Sequence, residues 1–281
     1  LPERAAPPLS PARRSPEPFR LLPPVPRLLR AALRSAACLL STACSPRKND
    51  AQTAAAPAAN AAFELREGDR VVFLGDTFAE RAQYDGWIEV MLTTRFPDRN
   101  VTFRNLGWSA DTPDGASRLG RSLLQAGHEP ADEAWKMLVK QLEDAKPTVV
   151  FVGYGMANSF AGTAGLPEFK AAYGRLLDQI ARLSPGVRVV LLGPVPHENL
   201  GAPWPNPAAH PAQLALPAQA VGEIAAARGA QHVPLFELLP AARGARHLTD
   251  NGIHLTADGY RVAAEVIEDR LFGSAGAWRT S

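Results

Sequence analysis

The sequence predicts an α/β protein in which a mainly parallel, five-stranded sheet lies between two layers of helices, a three-layer α/β/α sandwich. Short apolar runs suited to buried strands alternate with segments whose apolar residues recur at helical spacing. Parallel strands need helical crossovers, and this alternation supplies them. The alternation runs through residues 63–273, which is enough chain for one domain with a complete core.

Five short apolar runs predict the strands. The first, residues 71–74, reads Val-Val-Phe-Leu and ends at a glycine, as expected for a strand that is buried on both faces. The other runs lie at residues 101–106, 148–152, 187–192 and 232–236.

Helical segments fill the intervals between these runs. Apolar residues at helical spacing extend from residue 84 to 96, from 135 to 142 and from 169 to 183. Pro147 ends the second of these segments. An alanine-rich segment at residues 210–228 and a final segment at residues 257–271 complete the predicted set.

Composition limits the classes of protein that this chain can be. It has 281 residues, of which 46% are hydrophobic and 21% are charged, as in ordinary globular proteins. Two cysteines exclude a disulfide scaffold and a four-cysteine zinc site. The formal net charge is +2, but residues 1–44 hold seven arginines and two acids, which leaves 23 basic and 26 acidic residues elsewhere. That balance gives no basis for nucleic-acid binding.

The N-terminal segment has the layout of an export signal. Arg27, Arg30 and Arg34 precede a short apolar stretch that ends at Cys44. The ending Ser-Thr-Ala-Cys resembles a bacterial lipobox, although Ser41 stands where leucine is more common. We therefore expect an exported protein, either an envelope lipoprotein or a periplasmic or secreted one, whose only membrane contact is a lipid on Cys44.

The same compositional shifts predict how the chain is divided. Residues 1–44 are expected to be a disordered leader with the signal, since they include nine prolines in the first 26 positions. Residues 45–62 are rich in alanine and proline and are expected to form a tether. Residues 63–273 form the predicted domain, and residues 274–281 are expected to be a tail.

Polar, glycine-containing loops follow three of the predicted strands, and a fourth such loop precedes the last helix. Ligands of parallel α/β sheets bind at the carboxyl ends of the strands, so these loops are the candidate site. They read Gly-Asp-Thr at 75–77, Asn-Leu-Gly-Trp-Ser at 105–109, Gly-Tyr-Gly-Met-Ala-Asn at 153–158 and Asp-Asn-Gly-Ile-His at 250–254.

In order and placement, these loops resemble the four motif blocks of the SGNH/GDSL hydrolases, a family of esterases and lipases with a flavodoxin-like fold. The resemblance covers residues 70–270. It implies an acyl-enzyme mechanism, in which Thr77 is the nucleophile and His254 is the base. It also implies an oxyanion hole made by the backbone N–H groups of Thr77 and Gly107 and by the side chain of Asn158.

The blocks depart from the family pattern at three points. Threonine stands at the nucleophile position 77, where the family has serine, and its extra methyl group restricts the side chain. The residue three before His254 is Asn251, and Asp250 lies four before it, so either could orient the imidazole. The third block is one residue longer than the family's, and an alignment that places Ala157 at the asparagine position would remove an oxyanion donor.

Two functions are compatible with this mixture of retained and altered residues. The first is an esterase that cleaves acyl esters of small molecules, including O-acyl groups on carbohydrates. The second is a catalytically inactive binding module of the same fold that holds a glycan or an acyl ligand in the same cleft. A hydroxyl at position 77 with Gly107 and His254 favours the esterase.

Four further residues are candidates for contact with the substrate. Asp76 could also cap the following helix, and the Ser109 hydroxyl could instead satisfy backbone groups of its turn or act as a substitute nucleophile. Trp108 is equally compatible with a pocket wall and with core, and His197 follows the fourth strand in a position to line the pocket. No histidine has metal-ligand spacing and no dinucleotide or phosphate-loop motif occurs, so no metal or cofactor is expected.

Overall fold

A parallel sheet forms the centre of the part of the chain that the computed structural model describes, residues 63–118 and 132–280. Within these residues the strands are β1 (Arg70–Gly75), β2 (Thr102–Asn105), β3 (Val149–Gly153), β4 (Arg188–Leu192) and β5 (Gln231–Val233). Their order is β2-β1-β3-β4-β5, and each neighbouring pair is parallel. The expected signal with Cys44 and the tether lie outside the described residues.

Helices cover both faces of the sheet, which confirms the predicted sandwich. The longer ones are α1 (Thr77–Asp85), α2 (Trp87–Arg95), α3 (Glu133–Ala145), α5 (Gly162–Leu183), α6 (His210–Arg228), α7 (Leu235–Arg243) and α8 (Ala257–Phe272). A single turn, α4 (Met156–Ser159), follows β3, and a 3₁₀ turn spans Ala277–Thr280. Helices α2, α7 and α8 pack on one face, and α3, α5 and α6 pack on the other.

The central strand β1 shows why the sheet is buried on both sides. Val71 and Phe73 belong to one hydrophobic core, whereas Val72 and Leu74 belong to the other. This alternation follows from the two-residue repeat of a strand. Full burial of such side chains stabilises the fold by about 1.5–3 kcal/mol each, so the continuous apolar run specifies a central strand.

Two elements differ from the sequence-based expectation. The helical stripe at residues 84–96 is divided between α1 and α2, because Gly86 has a φ of 65° and ends the first helix while it begins the second. The last strand is shorter than predicted, since Pro234 has no N–H to continue the ladder. The apolar residues after it, including Leu235 and Leu239, are buried on helix α7 instead.

Trp278, beyond α8, packs on the domain. Trp278, in the segment expected to be a tail, is 2% exposed, and its Nε1 donates to Glu268 at 3.0 Å. Among residues 63–118 and 132–280, no helix has both the length and the hydropathy to span a membrane.

Candidate active site

Three of the four loops, together with Ala110 just after the second loop, line a small cavity at the carboxyl edge of the sheet. Thr77, at the start of α1, and His254, just before α8, both line it, although they are far apart in the chain. The cavity has a volume of about 140 Å³. Its walls are mostly apolar, and the lining residues are Asp76, Thr77, Phe78, Ala110, Met156, Ala157, Phe160, Val195, Ile253 and His254.

Thr77 is the first residue of α1, and two contacts fix its position. The Asp76 carboxylate caps the helix by accepting the Phe78 N–H at 3.1 Å. The Thr77 Oγ1 accepts the Ala110 N–H at 2.8 Å, so its own proton stays available to a partner in the cavity. The backbone N–H of Thr77 lies in the first helical turn, where the helix offers it no acceptor and the dipole favours negative charge.

Asp76 connects the loop at residues 75–77 to the loop at residues 153–158. It is 5% exposed, and this burial raises its pKa to about 7. The N–H groups of Phe78, Met156 and Gly155 favour the ionised form, whereas the charge of Asp111 opposes it. Asp76 therefore joins the start of α1 to the start of α4, and it also lines the cavity.

His254 is contacted by Asn251 and not by Asp250. The Asn251 Nδ2 lies 3.0 Å from the His254 Nδ1, whereas the Asp250 carboxylate pairs with Arg81 at 3.4 Å. Burial lowers the pKa of His254 and Arg81 lowers it further, while Asp250 and Glu80 act in the opposite direction. Within the described residues, no hydrogen bond joins the Thr77 hydroxyl to His254.

The two other residues expected to supply oxyanion donors, Gly107 and Asn158, are not among the residues that line the cavity. The Gly107 N–H donates to the Asn105 Oδ1 at 2.8 Å. Glycine is required there, since a Cβ would lie 2.2 Å from the backbone nitrogen of Glu80. Ala157 lines the cavity and Asn158 does not; in the part of the chain that is described, the buried Asn158 Oδ1 has no hydrogen-bond partner.

Three of the expected substrate-binding residues lie outside this lining. Trp108 is 40% exposed, and the Ser109 Oγ donates to Glu80 at 3.1 Å. The His197 Nδ1 lies 2.7 Å from the Nδ1 of His210. Asp76, the fourth, lines the cavity as expected.

Sequence reasoning missed Arg81 and the apolar wall of the cavity. Arg81 lies one helical turn after Thr77, so its spacing could have indicated it. Three of the wall residues lie in or beside the candidate loops and the fourth follows β4, but none carries a chemical signal of its own: Met156, Phe160, Ile253 and Val195. No group of three or more His, Cys, Asp or Glu side chains in residues 63–118 and 132–280 could hold a metal ion.

Polar loops gathered at the carboxyl edge of a parallel three-layer sandwich are typical of α/β proteins that bind a small molecule at that edge. Residues 68–262 match the model of the GDSL-like lipase/acylhydrolase family. The chain therefore belongs to this family of ester hydrolases. A search of curated protein sequences gave no match.

Solved structures share the fold at low sequence identity. A catalytic mutant of the acetylxylan esterase Axe2 from Geobacillus stearothermophilus is 18% identical with a TM-score of 0.51, over 75% of this chain and 97% of that one. TesA is 20% identical with a TM-score of 0.52, over 72% and 98%. BT4096, a gut microbial diltiazem-metabolizing enzyme, is 21% identical with a TM-score of 0.56, over 78% of this chain and 50% of that one. At these identities the likeness concerns the fold.

Proposed function

We propose that this chain hydrolyses short-chain acyl esters, with Thr77 as the nucleophile and His254 as the base. The observation that carries the proposal is the presence of both side chains in one small, mainly apolar cavity. Apolar walls of this size suit a short acyl chain, and the Ala110 N–H bond orients the Thr77 hydroxyl. Family membership supports the reaction class.

The reaction would proceed in two steps. In the first, the Thr77 Oγ attacks the ester carbonyl carbon, its proton passes to the His254 Nε2, and the alcohol leaves with that proton. In the second, water attacks the acyl-threonine while His254 takes a proton from it, and His254 then passes that proton to the Thr77 Oγ as the acid is released. The Thr77 N–H would stabilise the oxyanion of both tetrahedral states.

We propose O-acyl groups on carbohydrates as the substrate class. The acetylxylan esterase among the structures of the same fold supports this choice, as does the expected export of the chain. The substrate preference would appear as a higher kcat/KM on an acetylated xylo-oligosaccharide than on an aryl acetate. A kcat/KM on the acetylated xylo-oligosaccharide below that on the aryl acetate would argue against this substrate class, and equal turnover of long-chain and short-chain aryl esters would argue against a short acyl group, because the cavity is small.

The experiment is a kinetic comparison on the full chain. An aryl acetate would be assayed with the wild type, Thr77→Ala and His254→Ala, and both variants should lose at least about a hundredfold in kcat. The exposed Thr93 and His247 provide matched controls as Thr93→Ala and His247→Ala. Thr77→Ser should raise kcat, because it removes the methyl group that crowds the attack path.

A second candidate function, binding without hydrolysis, is favoured by the sparse oxyanion hole. The Gly107 N–H is engaged by Asn105, and the methyl side chain of Ala157, which lines the cavity, offers no hydrogen-bond donor. Wild-type turnover no faster than that of His254→Ala, together with binding of an acetylated glycan that Thr77→Ala preserves, would support this function over the first.

We also propose that the chain is exported and lipidated on Cys44. The arginine flank, the apolar stretch and the lipobox-like ending support this location. In a bacterial host, metabolic labelling with a palmitate analogue should label the wild type. Cys44→Ser should lose the label, whereas Cys38→Ser, at the other cysteine, should retain it.

A further inference from the structure

The side-chain amide of Asn251 makes three hydrogen bonds that together fix its orientation. Its Oδ1 accepts the N–H of Ile253 at 3.1 Å and the N–H of His254 at 2.9 Å. Its Nδ2 lies 3.0 Å from the His254 Nδ1. A backbone N–H can only donate, so the oxygen of the amide must face the two backbone groups.

A flipped amide would be unfavourable. Its NH₂ group would then face two N–H donors, and both backbone hydrogen bonds would be lost. The NH₂ group therefore faces the imidazole, and an NH₂ group can only donate. The His254 Nδ1 must be the acceptor in this contact.

The proton of the neutral imidazole then belongs on Nε2, the ring nitrogen left for the cavity. A general base of this kind needs the opposite tautomer, with the proton on Nδ1 and a free electron pair on Nε2. The doubly protonated ring is disfavoured as well, because its Nδ1–H would face the Asn251 NH₂. Arg81 disfavours it too, while Asp250 and Glu80 favour it.

We propose that Asn251 is a positioning residue that holds His254 with its proton on Nε2, so that the resting imidazole offers a hydrogen-bond donor, and not a base, to the Thr77 cavity. The catalytic consequence rests on the proposed function. A ligand oxygen in the cavity would meet the His254 Nε2–H, the Thr77 hydroxyl and the Thr77 N–H. Proton transfer from Thr77 would require the disfavoured tautomer first, so hydrolysis is slow.

Asn251→Asp should reverse this arrangement. One carboxylate oxygen can still accept the Ile253 and His254 N–H groups, and the other can accept a proton-bearing His254 Nδ1. The Nε2 is then free to act as a base, and the carboxylate stabilises the imidazolium. The reverse change, Asp to Asn, costs about 10⁴ in kcat in a serine triad, so we expect kcat to rise at least about a hundredfold.

The test combines nitrogen-15 NMR with kinetics on the full chain. Ring-labelled histidine reports which nitrogen carries the proton, and His254→Gln identifies the His254 signals. The wild type should show a bare Nδ1 and a protonated Nε2, and Asn251→Asp should show the opposite with a higher kcat on an aryl acetate. Asn206→Asp makes the same chemical change at an exposed turn and should alter neither measurement.

The outcomes separate this proposal from the proposed function. A wild-type His254 with its proton on Nδ1 would overturn the proposal whatever the activity, and this measurement needs no variant. A reversed tautomer without a rise in kcat, in a chain whose wild type hydrolyses the ester, would overturn the claim that Asn251 limits the rate. Reversal of the tautomer with no hydrolysis by either chain would support the positioning role and count against the proposed function.

Discussion

The backbone N–H of Ala110 donates a hydrogen bond to the Oγ1 of Thr77 across 2.8 Å, and Ala110 does so from the left-handed region, with a φ of 54°. An L-residue in this region is strained by about 1–2 kcal/mol, because its Cβ approaches the following carbonyl. The strain places the donor beside the proposed nucleophile, so the loop gives up some stability to orient a functional group.

Ala110→Gly should therefore stabilise the fold. Glycine adopts a positive φ without strain, and we expect a gain of about 0.5–1 kcal/mol in the free energy of unfolding after its larger chain entropy is included. Urea denaturation checks the change. Lys146→Gly tests the same effect away from the site, because Lys146 has a φ of 47° at the end of α3. A loss of stability in Ala110→Gly with a gain in Lys146→Gly would contradict the strain argument.

The pH dependence of hydrolysis should change when Arg81 is removed. A base must be neutral, so kcat/KM should rise with pH through the pKa of His254, which burial and Arg81 lower below its ordinary value. Arg81→Gln removes one of these causes and frees Asp250 from its ion pair. The midpoint of the rise in kcat/KM should therefore move to higher pH. Arg66→Gln, at an exposed ion pair with Glu64, should leave the midpoint in place. A midpoint that moves down, or not at all, in Arg81→Gln would contradict this account.

Stability should fall with rising pH because of Asp76. The folded chain holds the Asp76 proton up to about pH 7, whereas the unfolded chain releases it near 3.8, the ordinary pKa of an aspartate. The stabilisation linked to this proton is complete below pH 3.8 and is lost as the pH rises through about 7, at no more than about 1.4 kcal/mol per pH unit. Asp76→Asn keeps a capping side chain but does not ionise.

The measurement is the difference in unfolding free energy between Asp76→Asn and the wild type from pH 5 to pH 8. The variant should become more stable relative to the wild type as the pH rises. Asp98→Asn makes the same chemical change at an exposed turn and is the matched control. A difference that favours the wild type more at high pH would reverse the sign and refute the interpretation.

An amide donor introduced at position 157 should increase hydrolysis. Ala157 lines the cavity and Asn158 does not, so Ala157→Asn places a donor where the proposed oxyanion forms. One well-placed donor changes kcat by about 10²–10³, and a gain toward this range is expected on an aryl acetate. Asn158→Ala should leave kcat within about twofold of the wild type. A large loss in Asn158→Ala would show that Asn158 supplies the donor.

Glu198 should be important for the loop that carries His254. This buried carboxylate accepts the N–H groups of Leu248 and Thr249 at 3.0 and 2.8 Å, and the Thr249 hydroxyl in turn accepts the Gly252 N–H. Glu198→Gln replaces one accepting oxygen by an NH₂ group, which cannot accept the backbone N–H groups that face it. The substitution should lower the free energy of unfolding by about 1–3 kcal/mol. Glu237→Gln, on α7, is the control. Equal stability of the two variants would show that the Glu198 contacts contribute nothing.

The sequence was sufficient for the sheet and its layers because burial produces periodicity. The run at residues 71–74 had to be a central strand, and it is. The helix break at Gly86 depends on one backbone angle, and the placement of Leu235 on a helix instead of a strand depends on Pro234. Neither feature appears in an apolar pattern. The resemblance of the four loops to the SGNH/GDSL motif blocks also implied that Thr77 and His254 would share a cavity, and both line it.

The finer features of the site depend on loop paths that local patterns do not specify. Asp250 and Asn251 are both close enough to His254 in sequence, and only the turn decides that Asp250 meets Arg81 while Asn251 meets the ring. Likewise, the phase of the short helix α4 decides that Ala157 and not Asn158 lines the cavity.

The central claim, that Thr77 is the nucleophile of an ester hydrolase, is tested most directly by an alkyl fluorophosphonate. Attack by the Thr77 Oγ forms a stable oxygen–phosphorus bond and releases fluoride, so even a slow nucleophile accumulates product. Peptide mass spectrometry of the full chain should find the phosphonyl group on Thr77, with no labelling in Thr77→Ala and slower labelling in His254→Ala. Labelling of Ser109 instead, or ester hydrolysis that persists in Thr77→Ala, would contradict the claim.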